Sequence, residues 1–130
     1  MTAVRRRGRD DGVGSVEFAI VFPAALLLVV LVVHVSLLLY ASHVAAAAAD
    51  RGLQVARAEH GTVDTAIASA REVADHAGLI ATSDVQVEGS PTEVRVTVRV
   101  HIAGLLPLLP DNVTRTESGP IERFIPETVP

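Results

Sequence analysis

The chain contains no cysteine and no lysine, and only four of its 130 residues are aromatic. The absence of cysteine excludes disulfide bonds, thiolate metal ligands and a cysteine nucleophile. The four rings are those of Phe18, Phe22, Tyr40 and Phe124, so the chain lacks the bulky side chains that dominate large cores. Its formal net charge of -4 argues against a general nucleic-acid binder, which is normally basic. At this length the chain forms one compact domain at most, which excludes a large enzyme.

Charged residues are distributed unevenly along the chain. An arginine-rich stretch occupies residues 5–9, no acidic residue, lysine or arginine occurs from Phe18 to Ala49, and acidic residues outnumber arginines from Asp50 onward. The sequence is therefore divided into a basic start, an apolar segment and an acidic remainder.

The apolar segment predicts a transmembrane helix. The run from Phe18 to Ala41 is interrupted only by His34 and Ser36, and as a helix it would extend over roughly 36 Å, which exceeds a bilayer core of about 30 Å. A secretory signal peptide, removed at one of the alanines at 45–49, is the alternative. The apolar region of such a peptide is only about 7–15 residues long, which favours a retained anchor.

The arginines predict the orientation of this helix, because basic residues are enriched on the cytoplasmic side. The stretch at 5–9 contains four arginines, whereas only Arg51 and Arg57 follow the apolar run closely. We therefore expect a cytoplasmic N-terminus. The arginines are better explained by topology than by nucleic-acid binding or a twin-arginine export signal.

The residues after the apolar run predict a continued helix followed by a small external head. Alanine-rich sequence extends the helix from about Ser15 to about Glu59, and its alanines either favour helix formation or permit close packing between neighbouring subunits. Thr62 is a candidate N-cap for an amphipathic helix that ends near Gly78. Alternating valines on both sides of the turn at residues 88–92 then predict a β-hairpin with one apolar face and one face that carries arginines.

Two further segments complete the predicted α+β organisation. The apolar, proline-interrupted stretch at 104–110 is expected to cover the apolar face of the hairpin, or to contact a partner or lipid. The tail from Asp111 to Pro130 is predicted to be extended and partly disordered. The predicted segments are a leader at 1–12, a transmembrane and extended helix at 13–60, a head at 61–110 and a tail at 111–130.

We find no catalytic or metal-binding motif in the sequence. The five histidines do not have the spacing of zinc ligands, and Ser15 and Ser90 do not lie in a nucleophile elbow. Gly12 and Gly14 lack the third glycine of a dinucleotide-binding loop. His34, within the apolar run, is expected to be a neutral imidazole packed against a neighbouring helix, although ionisable groups in membranes are often functional.

The start of the apolar run resembles a pilin processing motif. Gly12, four intervening residues, Glu17 and Phe18 resemble the cleavage motif of type IV pilins of the Flp class. The longer run GSVEFAIVFPAALLLVV, residues 14–30, resembles the start of TadE-like proteins, which are minor pilins or pseudopilins of the bacterial tight-adherence system. The features that match are the arginines at 5–7, Gly12, the Val-Glu-Phe-Ala core at 16–19 and Pro23.

The resemblance implies both processing and partners. A membrane prepilin peptidase would cleave between Gly12 and Val13, with Gly14 as a second possible scissile glycine. Glu17, followed by Phe18, would then face the amino terminus of a neighbouring subunit during assembly. The expected partners are other pilins, the pilus assembly platform, the prepilin peptidase and membrane lipid, with no nucleic acid, cofactor or metal.

These inferences predict a non-catalytic minor pilin or pseudopilin that acts in pilus assembly through helix packing. It would be a single-pass protein of the bacterial cytoplasmic membrane, with its C-terminus external and a possible association with pili at the cell surface. Two alternatives remain: a small secreted protein released near Ala47–Ala49, and a membrane-anchored binding module that is never processed.

Overall fold

The computed structural model describes residues 11–121 and has an α+β fold, as the sequence predicts. A single long helix, α1, extends from Asp11 to Arg57. It continues through Pro23, whose missing N–H removes one backbone hydrogen bond, and it shows no break at the end of the apolar run. The predicted continuous helix is therefore confirmed.

The second helix, α2, comprises Val63–Asp75. Thr62 is its N-cap, as predicted: its side chain accepts a hydrogen bond from the backbone N–H of Thr65, whose hydroxyl in turn accepts one from the N–H of Thr62. The connection from α1 turns at Gly61, where a Cβ would overlap the backbone carbonyl of Val55. Only glycine fits this turn, which folds α2 back against α1.

A three-stranded antiparallel sheet follows, with the strands in the order β1-β2-β3. The strands are β1 (Ile80–Gly89), β2 (Glu93–Ile102) and β3 (Asn112–Pro120). The pair β1–β2 is the predicted hairpin. The third strand differs from the prediction, because residues 112–120 were expected to belong to an extended, partly disordered tail. Their pairing with β2, from Glu93↔Pro120 to His101↔Asn112, makes them an edge of the sheet.

The core lies between the inner face of the sheet and the two helices. Alternate residues of β2 are buried, and they are Val94, Val96, Val98, Val100 and Ile102. Three alanines of α2 and the alanine-rich half of α1 cover them. Because these side chains are small, the helices approach the sheet closely, and a Cβ built on Gly52 would lie 3.1 Å from Val96 Cγ1 and 3.2 Å from Ala70 Cβ.

The alanines of α1 pack within the chain, a role different from the two that the sequence predicts. Ala41, Ala45, Ala48 and Ala49 are fully buried against the protein's own head. Close packing does explain their small size, but the packing partner is within the same chain. They are not an exposed stripe for contact between subunits.

The apolar loop at 104–110 joins β2 to β3, and it does not cover the inner face of the hairpin. That face is covered by α1 and α2. Leu105 and Leu108 of the loop are exposed. Of the three roles expected for this loop, the first is wrong, because the helices already occupy the position.

Candidate assembly site

The predicted processing and assembly residues all lie in the first turns of α1. Gly12 and Val13 are in the first turn, and Glu17 follows Val13 by four residues, so these two positions share one face of the helix. The backbone thus places the predicted cleavage position and the glutamate one turn apart. The leader residues 1–10 lie outside the described part of the chain.

Glu17 and Phe18 have no partner in the head. Glu17 is exposed and makes no hydrogen bond or ion pair with another residue in the range 11–121. The Phe18 ring stacks on that of Phe22, with centroids 5.5 Å apart, and both rings remain largely exposed. The motif is therefore presented on a bare helix, accessible to other molecules.

The helix beyond the motif is apolar and largely uncovered, with only Val30 and Leu31 half-buried. Its exposed large side chains are Val16, Phe18, Ile20, Val21, Phe22, Leu26, Leu27, Leu28, Val29, Val32 and Val33. Because they include four consecutive residues, 26–29, no face of the helix is shielded by the rest of the chain up to Val29. We call residues 14–33 the free span. A helix that is apolar all round needs lipid or other helices around it.

The free span has the length of a bilayer. Twenty residues rise over about 30 Å, which is the thickness of the hydrocarbon core. The helix is long and apolar enough to cross a membrane, and only 6% of its most apolar window is buried inside the protein. The core helix of a soluble protein would instead be mostly buried. This geometry fits a single-pass membrane anchor.

The first fully buried residue of α1 is His34. Its Nε2 lies 3.0 Å from the carbonyl oxygen of Pro110, and no described group partners Nδ1. A carbonyl can only accept, so the Nε2 that bonds to Pro110 carries the hydrogen. The imidazole was expected to contact a neighbouring helix, and that expectation is wrong: the loop at 104–110 of the same chain covers it.

The other polar side chain of the apolar run is satisfied within the helix. Ser36 Oγ donates a hydrogen bond to the carbonyl oxygen of Val32 at 2.8 Å. A hydroxyl bonded in this way can lie in or near a membrane without an unpaired donor. Neither His34 nor Ser36 therefore prevents this part of α1 from lying at the membrane boundary.

Further contacts fix the head to the C-terminal half of α1. Arg57 Nε donates a hydrogen bond to the carbonyl oxygen of Pro120 at 2.8 Å, and Arg115 Nε donates one to Ser42 Oγ at 3.0 Å. Both acceptors are far from their donors in sequence, so local pattern could not have predicted these contacts. They hold the edge strand β3 against the helix.

No arrangement typical of a metal centre occurs within residues 11–121, since no three His, Asp or Glu side chains there are grouped to hold an ion. The exposed pair His101 Nε2–Asp111 Oδ2, 3.1 Å apart, lies where β2 leaves the sheet. The features that the structure does bring together are a bare apolar helix, an accessible glutamate at its start and a compact head at its other end.

Comparison with known proteins agrees with this arrangement. The family model for TadE-like proteins matches residues 12–54, which is 43 of the 130 residues. The match begins at the predicted cleavage position and ends within the buried part of α1, and it confirms the resemblance over these residues. No curated protein matches the chain significantly. The matched family is one of proteins associated with tight-adherence pili.

Proposed function

We propose that this chain is a minor pilin or pseudopilin of a tight-adherence type IV pilus system. In this proposal α1 anchors the protein in the cytoplasmic membrane, with the arginines at 5–9 in the cytoplasm and the head outside. A prepilin peptidase removes the leader between Gly12 and Val13. The processed subunit then acts in pilus assembly by packing its free span against other pilin helices, together with the assembly platform.

The observation that carries this proposal is the free span joined without a break to a folded head. A subunit that must leave the bilayer and enter a helical bundle needs an apolar helix that either lipid or neighbouring helices can surround. Residues 14–33 have this property, because the head covers none of their faces completely. The alanine-rich half of α1 is already used by the head, so the free span is the part that remains for subunit contacts.

Glu17 supplies a reason for assembly to depend on processing. Moving a carboxylate from the headgroups into apolar surroundings is costly, up to about 2.5–3.5 kcal/mol at the centre of a bilayer on insertion scales. A newly formed α-amino group at Val13 of a neighbouring subunit carries the opposite charge. When the two charges are paired, each offsets the cost of removing the other from water. Before cleavage the amino group does not exist, so the pair cannot form.

The alternative of a secreted protein is disfavoured by the core of the head. Cleavage near Ala47–Ala49 would remove the part of α1 that contains Ala41 and Ala45, both of which are fully buried. It would also remove Ser42, which accepts the hydrogen bond from Arg115. The released fragment would keep only the last two turns of α1, one of the two helices that cover the sheet.

A cleavage assay distinguishes the proposed pilin from the alternative of an unprocessed membrane-anchored module. The full chain would be expressed with its cognate prepilin peptidase, and the mass of the membrane-bound product measured for wild type, Gly12→Ala and Gly14→Ala. We expect wild type and Gly14→Ala to lose residues 1–12, and Gly12→Ala to remain intact. Gly14 is a matched control, because a Cβ at this position meets no atom within 4 Å.

The other results have equally clear meanings. Cleavage that is blocked only in Gly14→Ala would move the processing site by two residues. An intact chain in all three samples, beside a cleaved control pilin, would contradict processing. The protein would then be an anchored module with an external head.

A further inference from the structure

Three exposed leucines lie at one end of the head. Leu79, Leu105 and Leu108 are 68%, 44% and 96% exposed. Among the described residues outside α1, the remaining large hydrophobic residue with comparable exposure is Val63, at the start of α2. Exposed apolar surface on the head is therefore concentrated in the region that contains these leucines, which we call the leucine base.

The topology explains why the three leucines share one end. Leu79 directly precedes β1, and the first residue of β1, Ile80, pairs with the last residue of β2, Ile102. The loop that contains Leu105 and Leu108 follows β2 immediately. Leu79 and the loop therefore lie at the same end of the β1–β2 hairpin, although they are about 25 residues apart in sequence.

Two hydrogen bonds place this end of the hairpin beside the end of the free span. His34 Nε2 donates to the carbonyl oxygen of Pro110 at 3.0 Å, and Tyr40 Oη donates to that of Ala77 at 3.4 Å. Pro110 closes the loop of the leucine base, and Ala77 lies two residues before Leu79. The leucine base is thus attached to α1 between residues 34 and 40.

This attachment lies at the membrane boundary when the helix is measured from Glu17. If the carboxylate stays at the headgroups, about 20 residues of helix cross the hydrocarbon, so the far boundary lies near Leu37. His34 then lies about 4–5 Å inside that boundary. The loop bound to His34 therefore lies beside that boundary, because the carbonyl oxygen of Pro110 contacts the imidazole directly.

The composition of the loop suits this depth. Residues 102–110 contain no polar side chain, and Pro107 and Pro110 have no backbone N–H to leave unpaired. The N–H of Leu109 is bonded to the carbonyl oxygen of Leu106 at 3.2 Å. Irregular backbone is not tolerated in the hydrocarbon core, but at the boundary between headgroups and acyl chains the remaining N–H groups of the loop can donate to water and lipid headgroups.

We propose that the leucine base is a lipid-binding surface that inserts into the leaflet on the side of the head. Its partner is the region of a phospholipid bilayer where acyl chains meet the glycerol backbone. Lipid is the occupant because the leucine base adjoins the free span, which lipid already surrounds in an anchored subunit. This inference rests on the membrane-spanning part of the proposed function and is independent of any role in a pilus.

Tryptophan fluorescence tests the contact directly, since the chain has no tryptophan of its own. Full-length Leu108→Trp, Val63→Trp and Leu27→Trp would be reconstituted separately in phosphatidylcholine vesicles. Each would be measured with and without phosphatidylcholine brominated on the acyl chains, either near the headgroup or at mid-chain. Val63 is the matched control on the head, and Leu27 is the control for the free span.

For Leu108→Trp we expect a blue-shifted emission and a loss of about half of its intensity with lipid brominated near the headgroup, because interfacial elements lie roughly 5–10 Å deep. Val63→Trp should show neither change. Leu27→Trp should be quenched by lipid brominated at mid-chain. Quenching of Leu108→Trp that persists at a low protein-to-lipid ratio supports the lipid contact.

Three results would overturn the inference, and they differ from one another. Emission from Leu108→Trp that matches Val63→Trp, with Leu27→Trp quenched, removes the lipid contact but keeps the anchor. An unquenched Leu27→Trp removes the membrane span itself and, with it, the leucine base as a lipid surface. A blue shift without quenching that disappears on dilution assigns the surface to a second copy of the chain.

Discussion

Gly52 of α1 and Ala70 of α2 are so close that a Cβ built on the glycine would lie 3.2 Å from the alanine Cβ. Val96 of β2 approaches the same point from the sheet. In the sequence, Gly52 is a weak position in a helix. In the structure it is the place where both helices and the sheet meet.

Gly52→Leu is therefore expected to destabilise the head by about 1–3 kcal/mol, because the added carbons must displace packed neighbours. Gln54→Leu is the control, since Gln54 is exposed on the same helix. The free energy of unfolding would be measured in detergent micelles by urea titration, followed by circular dichroism. Equal stabilities for the two variants would show that the close packing at Gly52 is not important.

His34→Leu should loosen the loop without unfolding the head. Leucine keeps an apolar side chain but removes the donor to Pro110, with an expected cost of about 1 kcal/mol. Hydrogen–deuterium exchange of the peptide that covers residues 103–111 should become faster. Ser36→Ala, which removes a hydroxyl bonded only within α1, should leave that peptide unchanged. Unaltered exchange in His34→Leu would mean that the imidazole does not hold the loop.

The head should fold only when the C-terminal half of α1 is present. A fragment that begins at His34 retains the buried alanines and should unfold cooperatively on heating. A fragment that begins at Asp50 lacks Ala41, Ala45, Ala48 and Ala49, which are all fully buried in the core, and should show no cooperative transition. Circular dichroism melting curves of the two purified fragments compare them directly. A cooperative transition in the shorter fragment would reopen the secreted alternative.

Glu17→Ala should separate membrane insertion from assembly. Insertion depends on the apolar span and should remain, measured as resistance to carbonate extraction. The amount of sheared surface pili should fall, because the amino group of the neighbouring subunit loses its paired charge. Ser15→Ala is the control at an exposed position two residues earlier. Normal piliation in Glu17→Ala would contradict the paired-charge mechanism.

Sequence patterns predicted the elements whose periodicity is local. The apolar run, the Thr62 cap and the alternating valines of the hairpin each give a signal within a few residues, and the structure contains all three elements.

The third strand has no comparable signal. Its inward-facing positions, given by the pairing with β2, are Val113, Arg115, Glu117 and Gly119. Only one of them is apolar, because β3 is an edge strand whose inner side meets polar groups of α1, such as Ser42. An edge strand of this kind cannot be recognised from apolar alternation.

The partner of His34 was also beyond local prediction. Pro110 lies 76 residues later in the chain, and no periodicity connects the two positions. The same applies to the alanines of α1, since small residues in a helix have the same pattern whether they face a sheet, a second helix or another subunit. Only the folded chain distinguishes these cases.

The continuity of α1 has a mechanical consequence. From Ala24 to Arg57 the helix contains no proline and no loop, so the membrane half and the head half form one stiff shaft. A force or torque applied to the free span is transmitted to the sheet, because no flexible segment lies between them. The head therefore cannot tilt independently of α1. Its orientation relative to the membrane is set by the angle at which the helix crosses the bilayer.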